Sequence, residues 1–305
     1  MKNRVIAMLT VALLTSTMIA GCGKQEAAPE EAPAAVEEAS VEEAPVEAPV
    51  EASTEEVAEE LPEITSSLDD AIASGIILCN NNLFKAGETQ GEGHILMDQD
   101  EPDENGEIKC YCLEMFGAYE FQDGNFVKCA GTGVIPAVIT VKAKDDGSYE
   151  FISIAEAEDG SNFVDSIKRD FPEALWSRCI TIEDDDRNEL EKQERSYAEE
   201  YISSIGREDA EIGDYADYEH RLLTDAGVSV DVSNKMLDVQ SGDGIEFFCP
   251  MWLGEREVLE DNVRYTYKTE YDEKKREIIF SKILYETGEV LETSVYDATT
   301  GDKVE

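Results

Sequence analysis

The chain has 305 residues, 70 acidic against 25 basic side chains and a formal net charge of -45. That field leaves no basic surface to gather phosphates, so it argues against nucleic acid as a partner, and it equally disfavours charge-driven binding to anionic lipid. The length allows one large domain or two smaller ones.

Lys2 and Arg4 open the chain, and Val5 to Ile19 is mostly apolar, the length of a signal-peptide core and short for a bilayer span. Ala20-Gly21-Cys22 closes it. The arrangement resembles the bacterial lipoprotein lipobox. The resemblance implies cleavage before Cys22, diacylation of its sulfur and a protein held on the extracytoplasmic face of the cell membrane. Residues 1–21 are then a leader, and their loss removes Lys2 and Arg4, leaving a mature charge of -47.

Residues 22–64 form a lipidated cysteine and a stalk of Glu, Ala, Val and Pro without an aromatic residue. Such a segment buries too little apolar area to offset its ordering entropy, so it is expected to be disordered. Drawn out, it reaches on the order of 130 Å at about 3.3 Å per residue.

Residues 65–206 read as a first α+β domain. Ser66 or Ser67 caps a helix over Leu68, Ala71, Ile72, Ile76 and Cys79. Short strands follow at His94–Met97, Ile108–Phe121, Phe126–Val127, Pro136–Lys144 and Tyr149–Ala155, with turns at Asn105-Gly106, Asp123-Gly124 and Asp146-Gly147. The connections are too short for crossovers, so the strands form an antiparallel meander. The period then becomes helical: Ser161 precedes Phe163, Val164 and Ile167, Phe171-Pro172 interrupts, and a helix runs from Asp184 to Ile205 with Gly206 as its stop. On it Leu190, Glu194, Tyr197 and Tyr201 share a stripe that reads as packing, and Glu191 and Arg195 stand at i, i+4.

The order of helix, meander with Asp123-Gly124, Pro136-Ala137-Val138-Ile139-Thr140, Asp159-Gly160-Ser161 and Phe171-Pro172 resembles the extracytoplasmic C-terminal region of clostridial membrane metallopeptidases of the beta-lactam-receptor type. It covers about Leu68 to Ile205. The peptidase part is absent, since the chain has no H-E-x-x-H. Before Asp-Gly-Ser the family favours aromatic and arginine residues. Here the stretch is Ile154-Ala155-Glu156-Ala157-Glu158, so ligand contacts do not carry over.

Residues 214–305 read as a second α+β domain. Tyr215–Ala226 is expected as a helix and Ile245–Phe248 as a strand. Val263–Tyr271, Ile278–Tyr285 and Val290–Tyr296 are expected to form a meander, with Gly288 in the last turn. The aromatic face of Tyr265, Tyr267 and Tyr271 reads as core before it reads as a sugar or peptide platform.

No reaction motif is present: there is no S-x-x-K, no G-x-S-x-G and no third glycine at Gly91-Glu92-Gly93, Gly131-Thr132-Gly133 or Gly242-Asp243-Gly244, which read as turns. Six cysteines beyond Cys22 leave disulfides open. Cys110 and Cys112 fall on one face of a strand and are poorly placed to join each other. His94 and His220 are the only histidines, and both read as bystanders. Glu101 to Gly106 matches part of a calcium loop, but the closing position is Cys112, so a charged hairpin is the better reading. The site inventory is therefore Cys22 for lipid and no catalytic, cofactor or metal residue. The expected function is a surface lipoprotein acting as a non-enzymatic binding, sensing or interaction module, its partners the membrane and an unidentified protein or envelope ligand. A carboxylate hydrolase and a transporter's substrate-binding lipoprotein are the alternatives.

Overall fold

The computed structural model describes residues 64–304 apart from 66, 82, 85 and 86. The leader, Cys22 and nearly all of the stalk lie outside the described residues. Ile64, read as the stalk's last residue, opens a two-residue strand, β1 (Ile64–Thr65), paired with β6 (Tyr149–Glu156).

The fold is α+β and is built on one long central strand, β3 (Glu107–Gln122). On one side β3 pairs with β2 (Thr89–Gln99). On the other it pairs first with β5 (Ile135–Ala143), then with β4 (Asn125–Gly131). The β3–β4 hairpin turns through Asp123 and Gly124, both at positive φ (47° and 82°), as an Asp-Gly turn of this type requires. Helices cover both faces. Even-numbered Cys110, Cys112, Phe116 and Ala118 pack with Ala71, Ile72 and Ile76 of α1 (Leu68–Asn81). Odd-numbered Tyr111, Leu113, Met115, Tyr119 and Phe121 face α2 (Phe163–Asp170), α3 (Trp176–Ile180) and α4 (Asp184–Ser204). The alternation of side chains along a strand sorts them. Ser67 caps α1, its hydroxyl accepting from the Asp70 amide at 3.0 Å.

Between the two expected domains the chain reaches a short strand, β7 (Ile212–Asp214), laid parallel to β4. The helix expected at Tyr215–Ala226 is absent. A single 3-10 turn (Tyr215–Asp217) is closed by the Asp214/Asp217 capping box, and Tyr218 is already extended. The helix of this region is α5 (Val230–Gln240), started by Ser229, whose hydroxyl accepts from the Val232 amide. Ile245–Phe247 is a 3-10 turn instead of a strand; it drops Ile245 into the core and holds Glu246 where the Tyr296 hydroxyl donates to it at 2.7 Å.

A second meander follows: β8 (Gly254–Glu260), β9 (Val263–Asp272), β10 (Glu277–Leu284) and β11 (Glu289–Asp297). Tyr267, Ile278, Phe280 and Tyr296 pack with Val232 and Met236 of α5, so the tyrosine face is core. The two meanders form one eleven-stranded sheet, joined where Gln122 of β3 pairs with Arg256 of β8. Their apolar clusters remain separate; the junction is polar. Arg264 grips Glu88 through both terminal nitrogens (2.7 and 2.5 Å), and Arg207 and Arg264 share Glu257. Both guanidinium groups lie against the Phe121 ring, at 3.9 and 5.1 Å.

Candidate functional site

The position of α4 is set by two glycines. Gly91 and Gly93 lie mid-strand in β2, not in a turn. A Cβ at either would run into a main-chain carbonyl of α4, at Glu194 and Leu190 respectively. Only glycine lets the helix backbone settle this close to the strand. Gln193 completes the contact, its side-chain oxygen accepting from the His94 amide at 2.9 Å and covering part of the open edge of β2.

Where α4 passes over β3 and β4, it leaves a cleft of about 440 Å³. Its floor holds Met115 and Tyr119 from β3, Lys128 from β4 and Glu194 from α4. The connection at Thr132-Gly133 forms one wall, with the Thr132 hydroxyl accepting from the Phe116 amide. Arg187, Asn188, Glu191, Lys192 and Arg195 of α4 and Asp214 of β7 form the rim. Lys128 donates to Glu194 Oε2 at 2.7 Å, and Glu194 is only 2% exposed. Burial pushes the Glu194 carboxyl up from its ordinary value, against the pull of Lys128. The expected Glu191–Arg195 pair does not form: Arg195 turns along the helix to Glu199 and reaches the Ile212 carbonyl of β7 at 3.0 Å.

A second polar cluster sits on the α1 side. His94 is buried, its Nδ1 2.9 Å from Glu92 and its Nε2 3.0 Å from Asp69. Burial alone would lower its pKa, but the hydrogen bonds and charges of Glu92 and Asp69 carry it above the ordinary value. Tyr197 donates to the other oxygen of Glu92 at 2.9 Å, and Tyr201 donates to Glu88. Directly across the ladder from His94 stands Glu114, fully buried, with no hydrogen bond to either oxygen among the described residues. Burial first, then Glu156 and Glu92, raise its pKa to about 8.

His220 holds Gln122 at 2.9 Å and stacks on Tyr215 with ring centroids 3.7 Å apart. Asp103 Oδ1 accepts the Asn105 and Glu107 amides at 2.7 and 2.9 Å, so the would-be calcium loop is an Asp-stabilised hairpin turn. Among the described residues no three His, Cys, Asp or Glu side chains converge as a metal would require. All six described cysteines are free thiols. The cleft and Glu114 were missed. Glu114 alone left a trace, a single acid inside the apolar run Cys110-Tyr111-Cys112-Leu113-Glu114-Met115-Phe116.

No family model matches this chain, and neither a curated protein nor a solved structure matches it. Among the described residues no helix is long and apolar enough to cross a membrane.

Proposed function

We propose that this chain is a lipoprotein, anchored through Cys22 on the extracytoplasmic face of the cell membrane, whose body binds a small polar ligand in the α4 cleft and acts as a binding or sensing module without turnover. The observation that carries this reading is the state of the cleft's floor. One oxygen of its buried acid is held by Lys128, while Arg187, Glu191 and Lys192 on the rim have no side-chain partner among the described residues and are free to meet a solute. The two histidines lie in other clusters, each with its ring nitrogens or ring face engaged. The resemblance of Leu68 to Ile205 to the extracytoplasmic part of beta-lactam-receptor-type proteins agrees with a sensing role.

A carboxylate hydrolase is the second reading, and Glu194 is the observation that favours it: a buried carboxyl of raised pKa in a cleft is a usual place for a general acid. Against it, a general acid must hand its proton to substrate, and one Glu194 oxygen is already held by the Lys128 ammonium. The test is a screen of the full chain in detergent against peptidoglycan fragments, oligosaccharides, peptides and beta-lactams, scoring turnover and binding separately. Binding without turnover is expected. Turnover abolished by Glu194→Gln in a protein that still folds would establish the hydrolase instead.

A further inference from the structure

The rim of the cleft carries charges of both signs that no neighbour neutralises. Arg187, Glu191 and Lys192 of α4 are exposed, and none has an ion pair or side-chain hydrogen bond among the described residues. Glu191 is left over because Arg195 bonds to Glu199 and to the Ile212 carbonyl. On the floor, Lys128 and Glu194 are paired with each other at 2.7 Å. The rim thus offers two free cations, Arg187 and Lys192, and the carboxylates of Glu191 on α4 and Asp214 on β7. Arg187 and Glu191 are separated by about 6 Å of axial rise, four residues at 1.5 Å each.

The rest of the molecule narrows the ligand further. With a charge of -45, the chain repels any net anion before it reaches the rim and attracts any net cation to the whole surface. A solute whose opposite charges are separated, with no net charge, escapes both effects and still meets each rim group with its complement. We propose that the cleft selects a small zwitterion, a compound with one ammonium and one carboxylate such as the free ends of a short peptide. Its carboxylate is received by Arg187 and Lys192 and its ammonium by Glu191. The proposal rests on the reading of the cleft as the ligand site and adds the ligand's chemical class.

The test uses the full chain in detergent and three probes: trialanine, N-acetyl-trialanine and trialanine amide. Affinity is read by calorimetry. Occupancy of the cleft is read from the methyl resonance of Met115, which lies in the floor. Trialanine is expected to shift Met115, and blocking either end should weaken binding on the order of tenfold, as loss of one ionic contact from a small ligand does. Arg187→Glu combined with Lys192→Glu should weaken trialanine by at least as much. Lys274→Glu, an exposed change in the β9–β10 turn, should leave it unaltered. If the acetylated probe binds as tightly as trialanine and shifts Met115, the zwitterion class is wrong while the cleft stands as a ligand site. If the amide binds best and the rim variants do not affect it, the acidic surface is responsible and the class is again wrong. If no probe moves Met115, both the class and the cleft reading fall.

Discussion

The two meanders bury their strands in different ways. β3, with helices on both faces, is buried along almost its whole length and takes charged residues into the interior: Glu114 and Glu120 lie in the strand, Glu92 beside it and Glu194 above it. β11, at the far end of the sheet, is exposed from Glu289 to Thr293 and buries only Ser294 and Tyr296. Its neighbours rest on aromatic contacts, with Phe248 stacked on Tyr267 and Phe280 edge-on to Tyr296. A doubly covered strand gains apolar contact on two sides, but each acid on it needs a buried partner. Glu92 has His94 and Tyr197, Glu120 has Gln122 and Arg256, and Glu194 has Lys128. Glu114 has none among the described residues, and its burial, with Glu156 and Glu92 nearby, raises its pKa.

This contrast can be broken most severely at the junction. Arg264→Ala would leave the Glu88 carboxylate, 3% exposed, with only the Tyr201 hydroxyl. Removing one member of a buried pair costs about 3–5 kcal/mol. Because the apolar clusters on the two sides do not merge, urea unfolding followed by Trp fluorescence and by far-UV circular dichroism should separate into two transitions. Coincident transitions with a loss under about 1 kcal/mol would mean that the polar seam does not couple the halves.

Glu114→Gln should act in the opposite direction. The folded pKa lies above the unfolded one, so the group's contribution is most favourable at low pH and is lost progressively as pH rises through about 8. At pH 7 the substitution should stabilise the fold by on the order of 3 kcal/mol, at 1.36 kcal/mol per pKa unit. The gain should be small near pH 4 and largest above pH 8. Parallel pH profiles of urea midpoint for wild type and variant would show that Glu114 reaches solvent or a partner.

The smallest effect belongs to the exposed strand. Leu291→Lys should change stability by less than about 0.5 kcal/mol, since Leu291 is 48% exposed. A thermal shift of several degrees would show that the outer part of β11 is covered.

Local chemistry made much of the fold legible. Asp123-Gly124, the run of β3, the caps of α1 and the stop of α4 near Gly206 were all visible, because turns, alternation and helix ends are written in adjacent residues. The failures are of another kind. β7 has three residues and exists only because β4 lies beside it. The helix expected at Tyr215–Ala226 lies further on, where the Ser229 side chain caps α5 at Val230. Gly91-Glu92-Gly93 looked like a turn because the helix that demands its glycines is a hundred residues away. The cleft was invisible for the same reason: its lining comes from β3, β4, α4 and β7, and no spacing within one segment announces it.

The six free thiols bear on how the chain is made. Burial raises Cys110 and Cys179 to about 11 and Cys129 and Cys249 to about 12, and it raises Cys79 and Cys112 as well. Oxidation and disulfide exchange proceed through the thiolate, and at pH 7 a thiol of pKa 11 is ionised in about one molecule in ten thousand. Once folded, the body therefore meets oxidants with almost no reactive sulfur. Its vulnerable interval is the time before the sheet closes, when all six thiols titrate normally. A slow-folding variant held in an oxidant would accumulate scrambled cross-links, whereas the folded body keeps its thiols in the unreactive protonated form.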